Sequence, residues 1–196
     1  MAFEKFKSEQ GIHLDDFIHL YNEAPFELID GERIPIVPGL ASHITTIRAI
    51  MRILDAYIVQ HQLGQVFSEA PFILEDKPDW VKGSRVPDVL FFNAERFNQY
   101  IQSTPEWQSR PFILVPDLAV EVVSPNDKFS DVTKKAEQYL KDGVQLVWIV
   151  DPQQKQVIVY QQGQNILQKL EKDDLVSGYS VIPDFEAKVS QFFDLD

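Results

Sequence analysis

The segment DLAVEVVS (117–124) constrains this chain more than any other. Leu118, Val120 and Val122 alternate with Ala119 and Val123, so a strand here is apolar on both faces. Such a strand belongs in the middle of a sheet covered by helices on each side. Glu121 breaks the pattern, on the face it shares with Ala119 and Val123. A buried carboxylate is costly unless something offsets it. A bound cation, a Lys or Arg partner or a locally wet face would each do so.

The flanking sequence supplies the helices. Leu40, Ile44, Ile47, Met51, Leu54 and Ile58 step by four and three, which predicts one apolar face of a helix over about 40–62, with Gly64 as its stop. FSDVTKKAEQYLKD (129–142) predicts a second helix closed by Gly143, with SPND (124–127) as its capping segment. Shorter helices are expected at 13–22 and 94–101. Strands are expected at 65–69, 71–75, 86–92, 144–150 and 157–161, with two more near 165–170 and 185–189. FELIDGERIPIV (26–37) reads as a hairpin turning at Gly31, and DKPDWVKGSR (76–85) reads as loop. The fold class expected is α/β (α+β), a central mixed β-sheet flanked by helices with extra N- and C-terminal hairpins, in one domain spanning 1–196.

Composition narrows the chemistry. The absence of cysteine excludes disulfides and thiolate metal sites. The N-terminal segment lacks the apolar core of a signal peptide, and no apolar run reaches the roughly 20 residues of a membrane span. A cytoplasmic protein with no membrane partner is expected. The formal net charge of −12 opposes strong non-specific binding to nucleic acid, although a carboxylate metal site is itself acidic.

Asp88 follows Pro87 at the start of the strand DVLFF. Alone it reads as a turn cap, but two carboxylates on neighbouring strands can converge on one hard cation, Mg2+ or Mn2+. On the 129–142 helix the apolar stripe is Val132, Ala136, Tyr139 and Leu140. Lys135 lies on its flank, about 85° from the stripe centre at 100° per residue. Of the helix's lysines it is the one best placed to reach over the sheet. A divalent cation with an adjacent ammonium is the set that phosphodiester hydrolysis needs. His43 opens the long helix, where helix-start hydrogen bonding competes with a place in a cleft. Glu27 and Glu69 read as solvated carboxylates, with Glu27 and His43 as accessory candidates. No zinc spacing, phosphate-binding glycine loop or hydrolase elbow is present.

The phrases VPDVLFF, DLAVEVVSP and KKAEQYLKDGVQLVWIVDP, with FELIDGERI and the Ser42-His43 pair, resemble the PD-(D/E)xK nucleases. Within that superfamily they resemble the Uma family of restriction-endonuclease-like proteins, over about residues 13 to 170. The resemblance implies a restriction-endonuclease-like core. It implies a metal held by Asp88, Glu121 and the backbone carbonyl of Val122, catalysis by Asp88, Glu121 and Lys135, and cleavage of DNA. One position departs from the superfamily: Val123 stands where its lysine is usual, two residues after the glutamate. The lysine's role then falls to Lys135 on the following helix. A divalent-metal-dependent endonuclease acting on DNA is the leading expectation, and a homodimer would be compatible with it, since a nuclease that cuts both strands often works as a pair. A catalytically inactive binding or assembly module is its rival, and a metal-free two-carboxylate hydrolase a third.

Overall fold

The computed structural model describes residues 11–125, 127–164 and 167–194. A two-residue strand, β1 (Ile12–His13), leads into α1 (Leu14–Glu23) and the hairpin β2 (Phe26–Ile29) and β3 (Glu32–Pro35). Helix α2 (Ala41–His61) precedes β4 (Gly64–Ser68), β5 (Phe72–Lys77), β6 (Trp80–Arg85) and β7 (Val89–Asn93). Then come α3 (Ala94–Ser103), β8 (Leu118–Val122), α4 (Phe129–Asp142), β9 (Leu146–Asp151) and β10 (Gln156–Gln161). Strands β11 (Gln168–Leu170), β12 (Leu175–Ser177) and β13 (Glu186–Lys188) complete the order.

The main sheet has the order β11-β10-β9-β8-β7-β4. Strands β8 and β9 run parallel, joined through α4, and the other neighbours are antiparallel. Parallel neighbours need such a crossover, and a helix is its usual form. Strand β8 is buried along its whole length, as its two apolar faces require. Val89, Phe91, Leu118, Val120 and Trp148 pack with Ile50, Leu54 and Ile58 of α2. Leu90, Phe92, Ala119, Val147 and Ile149 pack on the opposite face with Phe97 of α3 and with Ala136 and Tyr139 of α4. Glu121 shares that second face, so it meets α4. The central mixed sheet between helices is the architecture expected.

A second sheet adds to it. Its order is β1-β6-β2-β3, with β5 also paired to β6. Leu14 and Phe17 of α1 seal it against Phe26, Leu28 and Val81. The N-terminal hairpin is thus part of a five-stranded layer beside the site. Residues 76–85, expected as loop, are largely strand. Gly83, Ser84 and Arg85 are polar or small yet buried, because Ser84 Oγ accepts the Leu28 N–H at 2.8 Å and Arg85 Nη1 donates to the Leu28 carbonyl at 2.8 Å. Composition hides a strand whose buried Ser84 and Arg85 are answered by the backbone of β2.

Other boundaries shift for local reasons. Gln62, at φ 55°, makes the left-handed turn that ends α2, and Gly64 already lies in β4. Leu40 and Ile44 are exposed; the buried side of α2 begins only at Thr46 and Ile47. Helix α4 does end at Gly143, whose φ of 106° suits a residue without a Cβ. Its N-cap is Lys128, with no side-chain cap bond; Asp127 instead accepts the Ser124 N–H, and Asn126 lies outside the described residues. Of the strand expected near 165–170, residues 168–170 pair with β10, and 165 and 166 lie outside the described residues, as do 1–10. Strand β13 pairs with β12, which the sequence pattern does not single out. No helix among the described residues is long and apolar enough to cross a membrane.

Candidate active site

The β7–β8 register sets Val89 against Val120, which leaves Asp88 abreast of Glu121 where the ladder ends. Asp88 Oδ2 accepts the Val122 N–H at 2.6 Å, and Asp88 Oδ1 lies 3.0 Å from His43 Nε2. Glu121 reaches the other way, toward α4. Lys135 Nζ donates to Glu121 Oε2 at 2.9 Å, and the Tyr139 hydroxyl donates to Glu121 Oε1 at 2.5 Å. Lys135 and Tyr139 are one helical turn apart, so α4 presents both to one carboxylate. Lys135 Nζ also stands 3.4 Å from Glu27 Oε2. Asp88, Glu121, Lys135, His43 and Glu27 therefore line a single cleft of about 710 Å³.

Two placements correct the sequence reading. Glu27 is buried, not solvated: its Oε1 accepts the Val86 N–H at 2.9 Å while Oε2 faces Lys135. His43 does not serve the start of α2, whose N-cap residue Leu40 makes no side-chain cap bond. Its ring turns into the cleft, bracketed by Asp88 and by Ser124 Oγ at 3.4 Å. Gly39 permits this, since a Cβ there would lie 2.3 Å from the His43 ring. Glu69 stays exposed at the cleft rim, as expected. Tyr139 was legible only as a core residue; the signal for its second role was its spacing of four from Lys135.

The electrostatics follow from crowding. Burial pushes the Glu121 carboxyl up to about 8; Lys135 pulls it down, while Asp88 and Glu27 add to the rise. Burial by itself would lower Lys135, but Glu121 and Glu27 hold its pKa above the ordinary lysine value. Lys135 is thus a fixed ammonium at neutral pH. The hydrogen bond to Asp88 raises His43 against the opposing effect of burial, and a backbone hydrogen bond to Val122 adds to it. In a strand the N–H and C=O of one residue point to the same edge, so the Val122 N–H bond to Asp88 puts the Val122 carbonyl on the cleft side of β8. Three carboxylates thus confront Lys135 and His43.

A pH dependence follows. The folded-state pKa of Glu121 is raised above its unfolded value, so its contribution to stability is complete below about pH 4.5 and is lost as pH rises through about 8. Metal-free protein in chelator should therefore have a lower urea midpoint at pH 9 than at pH 6. The Glu121→Gln variant should lose that part of the slope; an unchanged difference between the two pH values would contradict the crowding described.

Do these residues suit a divalent cation? Among the described residues no group of three His, Asp or Glu side chains stands ready to hold a metal ion. The donors present are hard oxygens on Asp88 and Glu121 and the Val122 carbonyl, and negative charge is in excess. That matches the habit of Mg2+, which takes one or two carboxylates and keeps waters for its remaining positions. The donor set fits.

The fold is nuclease-like. One solved structure, 25% identical with a TM-score of 0.73, covers 93% of this chain and 97% of its own. It is described as a "putative nuclease belonging to DUF820" from Anabaena variabilis ATCC 29413. The chain belongs to the Uma2 family, described as "Putative restriction endonuclease", whose pattern matches residues 14–190. No curated protein matches it.

Proposed function

We propose that this chain is a divalent-metal-dependent nuclease that hydrolyses DNA phosphodiester bonds. The observation that carries this is the meeting of Asp88, Glu121 and Lys135 in one cleft, from two strands and a helix. Asp88, Glu121 and the Val122 carbonyl would hold Mg2+ or Mn2+. Such a cation, when bound, polarises a phosphoryl oxygen and lowers the pKa of water. Lys135 stays protonated, so it cannot act as a base; it donates hydrogen bonds and offsets charge developing on the phosphate. Tyr139 keeps Glu121 oriented. His43 holds Asp88 from behind and fixes its second oxygen on the Val122 N–H. Glu27 keeps Lys135 charged.

A second reading has its own observation. Both oxygens of Asp88 and both of Glu121 already have protein partners, which also suits an ion-pair network retained in a binding or assembly module. Metal separates the two. A cation at about 100 times its Kd adds about 2.7 kcal/mol of stability. For a chain of this size that is a rise in Tm of about 5–10 °C. We expect that rise with Mn2+ or Mg2+, its loss in Asp88→Ala, and cleavage of supercoiled plasmid and single-stranded circular DNA only with metal. Cleavage that persists in Asp88→Ala and Lys135→Ala would sink the assignment.

A further inference from the structure

The cleft does not end at the Glu121–Lys135 pair. A second cavity of about 370 Å³ opens on its other side and shares Glu121, Val122, Asp127 and Lys135 with the first. The lips of both are apolar. Of the eight exposed large hydrophobic residues among the described ones, Ile34, Ile36, Val37, Leu40 and Ile44 fall within one stretch of eleven positions, with Val37 81% and Leu40 59% exposed. Ile36, Val37 and Leu40 line the first cavity together with the ring of Tyr21, and Ile34 lines the second with Val123 and Val132. Among the described residues, Lys135 and Lys128 are the lysines at these walls and no arginine lines them, while six carboxylates do.

Duplex DNA is held chiefly through rows of Lys and Arg on its phosphates. Among the described residues these walls present two lysines and no such row. They offer an aromatic ring, aliphatic side chains and prolines, which suit the faces of bases and sugars freed from pairing. Resting on the nuclease reading above, we infer that the substrate is unpaired DNA: one nucleotide enters the larger cavity, its neighbour the smaller, and the phosphate between them lies at Lys135 and Glu121. One site then serves one strand, and a monomer suffices where duplex cleavage would call for a homodimer.

The test is kcat/KM for a labelled single-stranded oligonucleotide and for the duplex of the same sequence, in Mg2+ or Mn2+. We expect the single strand to be favoured by about tenfold or more. Between about 50 and 200 mM salt, two lysine contacts give a slope of log kcat/KM on log salt near −1.4. Val37→Ser/Leu40→Ser should raise KM for the single strand about tenfold with kcat little changed. It should not lower Tm, since serine at the uncapped N-cap of α2 supplies the missing bond. Preference for the duplex, or a slope steeper than about −4, overturns the inference and leaves the nuclease reading standing. So does a double variant that changes association state but not single-strand cleavage, which would make the lips a subunit contact. If neither DNA is cut, the nuclease reading fails and this inference with it.

Discussion

Replacing Lys135 with methionine lowers hydrolysis by about 100- to 1000-fold while leaving metal binding intact or tighter. The first half follows from position. The ammonium sits 2.9 Å from Glu121 Oε2 on the wall of the cleft and is the fixed positive charge beside both carboxylates. Deleting one preorganised donor to a developing oxyanion costs rates of this order. The second half follows from charge. Lys135 competes with any cation for Glu121 and Glu27, and its removal leaves those carboxylates with only neutral donors, Tyr139 and the Val86 N–H. Methionine keeps the apolar stem that covers the sheet. Glu121, already pushed up by burial, can take a proton in metal-free protein, so the fold survives. If Lys135 only balanced a structural ion pair, the variant would lose stability and show no change in rate per folded molecule. Single-turnover rates beside Mn2+ titrations distinguish these outcomes.

Arg85→Ala carries the largest expected effect on stability. Its guanidinium is buried, with Nε 2.9 Å from Asp142 Oδ2, and both side chains are at most 6% exposed. Nη1 also donates to the carbonyls of Leu28 and Ser84. Truncation leaves a buried carboxylate and two buried carbonyls short of a donor. Breaking one side of such a pair costs about 3–5 kcal/mol. We expect a fall of about 10 °C in Tm. Replacing both partners, as in Arg85→Met/Asp142→Leu, should recover most of it. The pair ties β6, and through it β2, to the end of α4. Those two elements carry Glu27 and Lys135, so Arg85→Ala should also weaken hydrolysis in the fraction that remains folded. An urea midpoint within experimental error of the wild type would contradict this account of how the two sheets are joined.

What could be read from the residues alone was set by how local the physics is. Glu121 announced itself because a carboxylate inside LAVEV has to be answered by something nearby. Lys135 was distinguishable from Lys134 and Lys141 by helical phase alone. The family resemblance then placed Asp88 with them. Other features depend on contacts between distant segments. Glu27 looked like an ordinary hairpin carboxylate until β2 was packed beside α4. Strand β6 looked like loop because Gly83, Ser84 and Arg85 are stabilised by Leu28 and Asp142, some 55 residues away in either direction. The apolar row of α2 extended to Leu40 and Ile44 in the sequence, yet both are exposed, and Leu40 lines the cleft instead of the core. The same helix turned His43 inward, where Gly39 leaves room for its ring.

The most direct test of the central claim needs no knowledge of substrate: titration of the metal-free protein with Mn2+, following the free-ion signal by electron paramagnetic resonance. The site described predicts saturable binding by the wild type, loss of that binding in Asp88→Asn and in Glu121→Gln, and its retention in Lys135→Met. Binding that is absent from the wild type, or that persists unchanged in Asp88→Asn and Glu121→Gln, would contradict it.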